Sequence, residues 1–188
     1  MPESQGDPLP TPEIDAEAYQ SVKSSVEQGD YTNLICSPEE GKKIVDKLVS
    51  ELAESHTTMR VTVPEKGRDF PGVVSDFESI APDEAKGRIK KNLKDYVTFP
   101  YYLSTLMEKC AQVSEKPLLA IIENVQYVTD ARDDLLGMVR GSHTWRHDKE
   151  GLTNMTFLLV ADRHPTDLYQ YRGDVPSFNI GTNIRLRS

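Results

Sequence analysis

The sequence predicts a three-layer α/β domain built on a central, mostly parallel sheet. Short apolar runs alternate along the chain with segments of helical periodicity, the pattern of strands joined by crossover helices. Two of the runs, residues 118–122 and 155–161, are almost wholly apolar, as strands covered on both faces are. With 188 residues, 37% of them hydrophobic, the chain is long enough to close one such core.

Each element has its own justification. Residues 16–28 have helix-forming composition, and Gly29-Asp30 stops them. Residues 31–35 are short, apolar and bounded by turn formers, hence a strand. From residue 41 to 54, Ile44, Val45, Leu48, Val49 and Leu52 recur at helical spacing and give an amphipathic helix. Residues 59–63 alternate as a second strand, which Pro64 ends. The stretch 65–83 is rich in Gly, Pro and Asp and is expected to be an irregular crossover. Residues 89–112 read as mostly helical, reset at Pro100. Residues 118–122 form a central strand, and 133–143 a helix. Asp130, Asp133 and Asp134 fall at the start of that helix, where carboxylates favour the dipole. Residues 149–154 read as loop, 155–161 as a strand and 183–186 as a last short strand. There is no internal repeat.

Composition excludes several classes. No apolar run approaches the length needed to cross a bilayer, so no membrane association is expected. The first thirteen residues, with Pro2, Pro8, Pro10 and Pro12, lack the basic and apolar regions of a signal peptide. They read as a disordered, proline-rich tail ahead of a domain at 14–188. Two cysteines, Cys36 and Cys110, make no disulfide framework and suit a reducing cytoplasm. A net charge of −8 argues against tracking a nucleic-acid backbone. The local exception is the basic run Lys86, Arg88, Lys90, Lys91 and Lys94, which is either a solvated face or a docking patch for an acidic partner.

The chemistry lies in two places. The first strand leads into Cys36-Ser-Pro-Glu-Glu-Gly41-Lys42-Lys43 and then a helix; the strand at 118–122 ends in Glu123-Asn124. Strand, loop with Gly-Lys, helix and a later strand ending in an acid is the layout of a P-loop NTPase. The chain also resembles the bacterial AAA-like (STAND-type) P-loop module over residues 14–188. Asp15-Ala-Glu-Ala-Tyr-Gln20 through Glu27-Gln-Gly-Asp-Tyr31 resembles the family's lead-in helix and turn. Lys116-Pro-Leu-Leu-Ala-Ile-Ile-Glu-Asn-Val-Gln126 resembles its Walker B strand. Thr156-Phe-Leu-Leu-Val-Ala161, Pro165-Thr-Asp-Leu168 and Pro176-Ser-Phe-Asn-Ile-Gly-Thr-Asn-Ile-Arg-Leu186 resemble the run that follows its sensor strand. In that family a lid follows the last strand; here the sequence stops at Ser188, and no lid is expected.

The resemblance implies a nucleotide site at Gly41, Lys42, Lys43, Glu123 and Asn124. Gly41 would wrap a phosphate and Lys42 reach the β- and γ-phosphates. Lys43 stands where a hydroxyl should hold Mg²⁺, and Glu39 and Glu40 bring carboxylates to a loop that should meet a polyanion. Like charges about 4 Å apart repel by about 1–4 kcal/mol near a surface. Glu123 would approach the metal, but Asn124 replaces the general base, a loss of about 10²–10⁴ in rate. The expectation is a pseudo-ATPase without a required cofactor, ATP or ADP with Mg²⁺ being the ligand to test, and with a protein partner of undefined identity. The alternatives are a nucleotide-binding switch or weak ATPase using Lys42 and Glu123, and a nucleic-acid-associated AAA protein.

Other constellations are weaker. His143 and His147 stand four apart with His164 as the nearest third histidine, a thin basis for a metal site. Cys36 near Lys42 and Lys43 is either an activated thiol or a buried structural one. Trp145 and Arg146 are residue types that anchor interfaces, though core packing competes for the tryptophan. Arg140 and Arg163 are candidate trans-acting arginines by position alone.

Overall fold

The computed structural model of the chain describes residues 14–89, 99–170 and 178–186. The expected tail at 1–13 and the helical reading of 90–98 lie outside them, as do Lys90, Lys91 and Lys94. Five strands, β1 (Thr32–Ile35), β2 (Thr57–Thr62), β3 (Leu118–Glu123), β4 (Met155–Ala161) and β5 (Thr182–Arg185), form one sheet in the order β2-β3-β4-β1-β5. Every neighbouring pair is parallel. The α/β class and the parallel sheet are therefore as the apolar runs predicted.

Helices α1 (Ala16–Glu27) and α2 (Pro38–Leu52) cover one face. Ala18, Tyr19, Val22 and Val26 join Ile44, Val45, Leu48 and Leu52 there, against Leu34, Leu119, Ile121, Leu158 and Val160. The opposite face carries α3 (Phe70–Ile80), α4 (Asp83–Gly87), α5 (Phe99–Val113) and α6 (Arg132–Trp145), with short helices α7 (Glu150–Thr153) and α8 (Pro165–Leu168). Phe70, Val74, Phe77, Leu103, Leu106, Leu135 and Val139 meet Met59, Val61, Leu118, Ala120, Ile122, Phe157 and Leu159. In β3 the side chains alternate between the two cores, so both faces are dry and the strand is apolar at both parities. Fully burying one such aliphatic side chain stabilises the fold by about 1.5–3 kcal/mol.

Two segments differ from the sequence reading. The stretch 65–83, read as irregular, holds α3. Asp69 caps it by accepting the Gly72 amide at 2.9 Å, Pro71 occupies its first turn, and Phe70, Val73, Val74 and Phe77 make its buried stripe. The proline and aspartate there are start signals, not breakers. Residues 149–154, read as loop, contain the single-turn α7, whose Gly151 lies so close to Glu108 of α5 that a Cβ would stand 2.8 Å from that residue's carbonyl oxygen. Among the described residues no helix is long and apolar enough to cross a membrane.

Candidate functional site

In parallel α/β sheets the carboxyl ends of the strands form the binding edge, at the point where strand order reverses. Here that point lies between β1 and its neighbour β4, above Cys36 and Ser37. The loop expected at 36–43 is not formed. α2 starts at Pro38, three residues before the expected start, so only Cys36 and Ser37 separate it from β1. The cause is a capping box. Ser37 Oγ accepts the Glu40 amide at 3.4 Å, and Glu40 Oε2 accepts the Ser37 amide at 3.1 Å and its hydroxyl at 2.6 Å. Pro38 suits the first turn because its missing N–H would be unpaired there anyway. The end of α2 that would attract a phosphate is thus closed by a carboxylate of its own chain.

The sequence reading expects Gly41 to wrap a phosphate. Gly41 lies inside α2 and is buried, and a Cβ there would stand 2.6 Å from Val160 Cγ1 and 3.1 Å from Cys36 Sγ. It permits helix and strand to approach closely. The two lysines that follow pair within the helix: Lys42 Nζ to Asp46 at 2.9 Å, Lys43 Nζ to Glu39 at 3.2 Å. Both are i,i+4 pairs, each worth about 0.3–0.5 kcal/mol.

Glu123 ends β3 and is 2% exposed. In the β2–β3 register it stands opposite Thr62, two residues beyond Arg60. Arg60 Nε donates to Glu123 Oε2 at 2.5 Å and Nη2 to Oε1 at 3.0 Å, a fork-to-fork pair; Thr62 Oγ1 donates to Oε2 at 2.7 Å. The remaining guanidinium nitrogen, Nη1, donates to Asp46 Oδ1 at 2.6 Å. Lys42, Asp46, Arg60 and Glu123 therefore form one chain of alternating charge from the surface of α2 to the buried end of β3. Hydrogen bonds from Lys42 and then Arg60 hold the Asp46 carboxyl below its ordinary pKa. Burial opposes the charge on Arg60, but its bonds to Glu123 and Asp46 outweigh that and raise its pKa. Removing one member of such a buried pair typically costs about 3–5 kcal/mol. Asn124 takes the left-handed backbone region (φ 60°) that asparagine tolerates, and its Nδ2 donates to the Val63 carbonyl at 3.3 Å, fastening β2 to β3.

The groups that a Mg²⁺–nucleotide would meet have partners within the chain in this arrangement. The helix end is capped by Glu40, the lysine that would reach phosphate is paired with Asp46, and both oxygens of the acid that would meet the metal accept hydrogen bonds from Arg60. Two further cations near this edge are also engaged. Arg163 chelates its neighbour Asp162 at 2.7 and 2.9 Å. Arg132 donates to the carbonyls of Gln126, Val128 and Leu168, and burial lowers its pKa.

The other sequence candidates are dispersed. Cys36 is not activated: burial, then Glu40 and Glu123, pushes its thiol up to about 12. His143 packs edge-on against Tyr31 at 5.0 Å, His147 follows the end of α6, and His164 caps α8 by accepting the Thr166 amide. No metal-holding group of three occurs among the described residues. Asp133 and Asp134 occupy the first turn of α6, and Asp130 accepts the Phe70 amide through its carbonyl. Arg140 lies within α6. Trp145 is 56% exposed rather than in the core, with Lys149 Nζ 5.4 Å from its ring centre. Arg146 turns inward, donating to Gly29 O and lying 5.9 Å from the Tyr31 ring. Lys86 and Arg88 pair with Asp83 and Glu84, which neutralises the two described members of the basic run. A groove of about 380 Å³ lies at the opposite end of β2, lined by Thr57, Met59, Ile80, Cys110, Val113 and Leu118. The sequence reading missed Ser37, Asp46, Arg60 and Arg132. Only Ser37 carried a legible signal, the Ser-x-x-Glu spacing of a capping box.

Comparison with solved structures gives P-loop ATPases. The chain superposes on a Walker-type ATPase of Pyrococcus abyssi with TM-score 0.51 at 10% identity, covering 92% of this chain and 54% of that one. A chain of the Drosophila ORC bound to DNA gives 0.54 at 18% identity, covering 93% and 94%. A chain of Drosophila ORC bound to AT-rich DNA and Cdc6 gives 0.50 at 17%, covering 88% and 53%. The chain thus spans about half the length of the archaeal ATPase. At these identities the likeness shows the P-loop NTPase fold. No protein-family model matches the sequence, and no curated protein does either.

Proposed function

We propose that this domain is a catalytically degenerate ATPase-like module that works by binding protein: an adaptor, scaffold or inhibitor in a bacterial signalling or defence system. One observation carries the reading. The edge that would meet a Mg²⁺–nucleotide is engaged within the chain: Glu40 closes the helix end with Ser37, Lys42 pairs with Asp46 and Glu123 with Arg60. A fold that keeps its packing while its polar edge pairs with itself supports use as a surface rather than as a reaction site. The signalling or defence setting rests on the resemblance to STAND-type modules alone. Trp145, exposed at the end of α6, is the residue we assign as an anchor for the partner.

Titration calorimetry with ATP and ADP, with and without Mg²⁺, tests this. The expected result is no saturable heat up to about 1 mM nucleotide, a free energy of binding weaker than about −4 kcal/mol. Binding tighter than about 100 μM that Lys42→Ala abolishes would replace this reading with a nucleotide-gated switch. One observation favours that second reading: Lys42 is 70% exposed and gives up only a surface pair to reach a phosphate.

A further inference from the structure

The sharpest disagreement between the fold and its chemistry is at Arg60. We propose that the Arg60 guanidinium is a tethered substitute for a divalent cation, holding Glu123 and Asp46 as a metal ion would and keeping one out. The proposal rests on the reading of a self-paired site given above, and its test is separable from the nucleotide titration.

Three features support it. First, the guanidinium gathers hard oxygen donors from separate elements: both oxygens of Glu123 on β3 and Oδ1 of Asp46 on α2, with the Thr62 hydroxyl of β2 bonded to the same Glu123 carboxylate. Two carboxylates and a hydroxyl are the donor types that Mg²⁺ and Mn²⁺ select. Second, the Glu123 side chain is 3% exposed. An ionised carboxylate so deeply buried needs a cation beside it, whether bound or tethered. Third, Arg60 is 27% exposed while Glu123 is closed off, so the positive charge lies on the solvent side of the acid, where an ion would enter. The location is the carboxyl edge of a parallel sheet, where such folds place ligands.

An ordinary structural salt bridge has the same distances, and a cation-binding experiment distinguishes the two. Arg60→Gln removes the tethered charge and leaves the oxygens in place. Binding of Mn²⁺ alone, without nucleotide, is followed by the loss of the free-ion paramagnetic resonance signal and by thermal unfolding. The wild-type protein is expected to leave about 1 mM Mn²⁺ free, whereas Arg60→Gln binds it at least about tenfold more tightly and unfolds at a higher temperature in its presence. Adding Asp46→Asn to Arg60→Gln should weaken that binding by about tenfold or more. Arg60→Lys, which keeps a cation at the same place, should stay indifferent to Mn²⁺.

If Arg60→Gln does not fold by itself, Mn²⁺ is expected to restore folding, read by circular dichroism. The proposal is overturned if Arg60→Gln folds and ignores Mn²⁺, if it stays unfolded with Mn²⁺ present, or if the wild-type protein binds Mn²⁺ equally well. Any of these leaves the protein-binding reading intact; that reading fails only if the wild-type protein binds nucleotide.

Discussion

The Tyr31 carbonyl oxygen accepts the Thr182 amide at 2.8 Å, and a Cβ on Gly181 would stand 1.9 Å from that same oxygen. The glycine is in the left-handed region (φ 73°), so its lack of a side chain is required twice, by backbone angle and by space. It sets the register of β5 on β1, where Asn33 Nδ2 donates to the Ile180 carbonyl and to Asn183. Gly181→Ala should destabilise the domain by about 2–4 kcal/mol, through strain plus loss of the edge strand. Urea unfolding measures it; a change under about 0.5 kcal/mol would show that β5 tolerates displacement.

Gly41→Ala separates a packing glycine from a phosphate-binding one. Helix propensity alone would favour alanine by about 1 kcal/mol. The contact with Val160 opposes this, and overpacking of that kind costs about 1–3 kcal/mol. A lower melting temperature without nucleotide is expected, and a double substitution with Val160→Ala should recover part of the loss. A stabilised Gly41→Ala protein would contradict the close approach.

Arg132 ties two stretches of backbone to the start of α6 through carbonyls, with no carboxylate among its hydrogen-bond partners in the described residues. Arg132→Met keeps much of the stem and removes the donors, leaving the carbonyls of Gln126, Val128 and Leu168 short of partners. The expected loss is about 3–4.5 kcal/mol, at about 1–1.5 kcal/mol for each neutral acceptor left unsatisfied. Hydrogen exchange should show the effect concentrated at residues 125–133 and 165–170 rather than at α1 and α2.

His143 gives stability a pH dependence of defined sign. Burial, then Arg146 and His147, lowers its pKa below the ordinary value near 6.5, while Asp30 acts weakly the other way. The unfolded chain therefore takes up this proton at higher pH than the folded one. The stability it contributes is complete above about pH 6.5 and falls as pH drops from there toward the folded-state pKa. His143→Phe, which retains the edge contact with Tyr31, should flatten the melting-temperature profile as pH falls below about 6.5. An unchanged slope would assign that limb to other groups.

The scaffold was largely legible in the sequence because burial on both faces leaves a one-dimensional trace. β3 and β4 are apolar except at Glu123 and Thr156, and β1 is short and bounded by turn formers. Local polar signals were harder to weigh. Pro71 and Asp69 looked like loop formers in a Gly-, Pro- and Asp-rich stretch, yet they start α3. The Ser37–Glu40 spacing announced a helix beginning at Pro38, but the Gly-Lys pair drew the reading toward a loop. The pairing of Arg60 with Glu123 had no sequence signal. It depends on β2 lying beside β3 in a register that puts Thr62 opposite Glu123, and on Asp46 arriving from a helix over the sheet.

The placement of β1 governs how this chain reaches its fold. Asn33 finds Asn183 across 150 positions, and the Asp30 carbonyl finds Thr156 across 126. Although β1 is the first strand made, both of its neighbours are made last, and α2 cannot dock on a finished sheet before they arrive. During synthesis α1, β1 and α2 emerge as a helix–strand–helix unit before either strand that pairs with β1 exists. Commitment to the native sheet must wait for nearly the whole chain, so folding is dominated by late, long-range closure. Until then the exposed strand is a natural substrate for chaperones, and truncations that remove β5 should aggregate rather than yield a smaller domain.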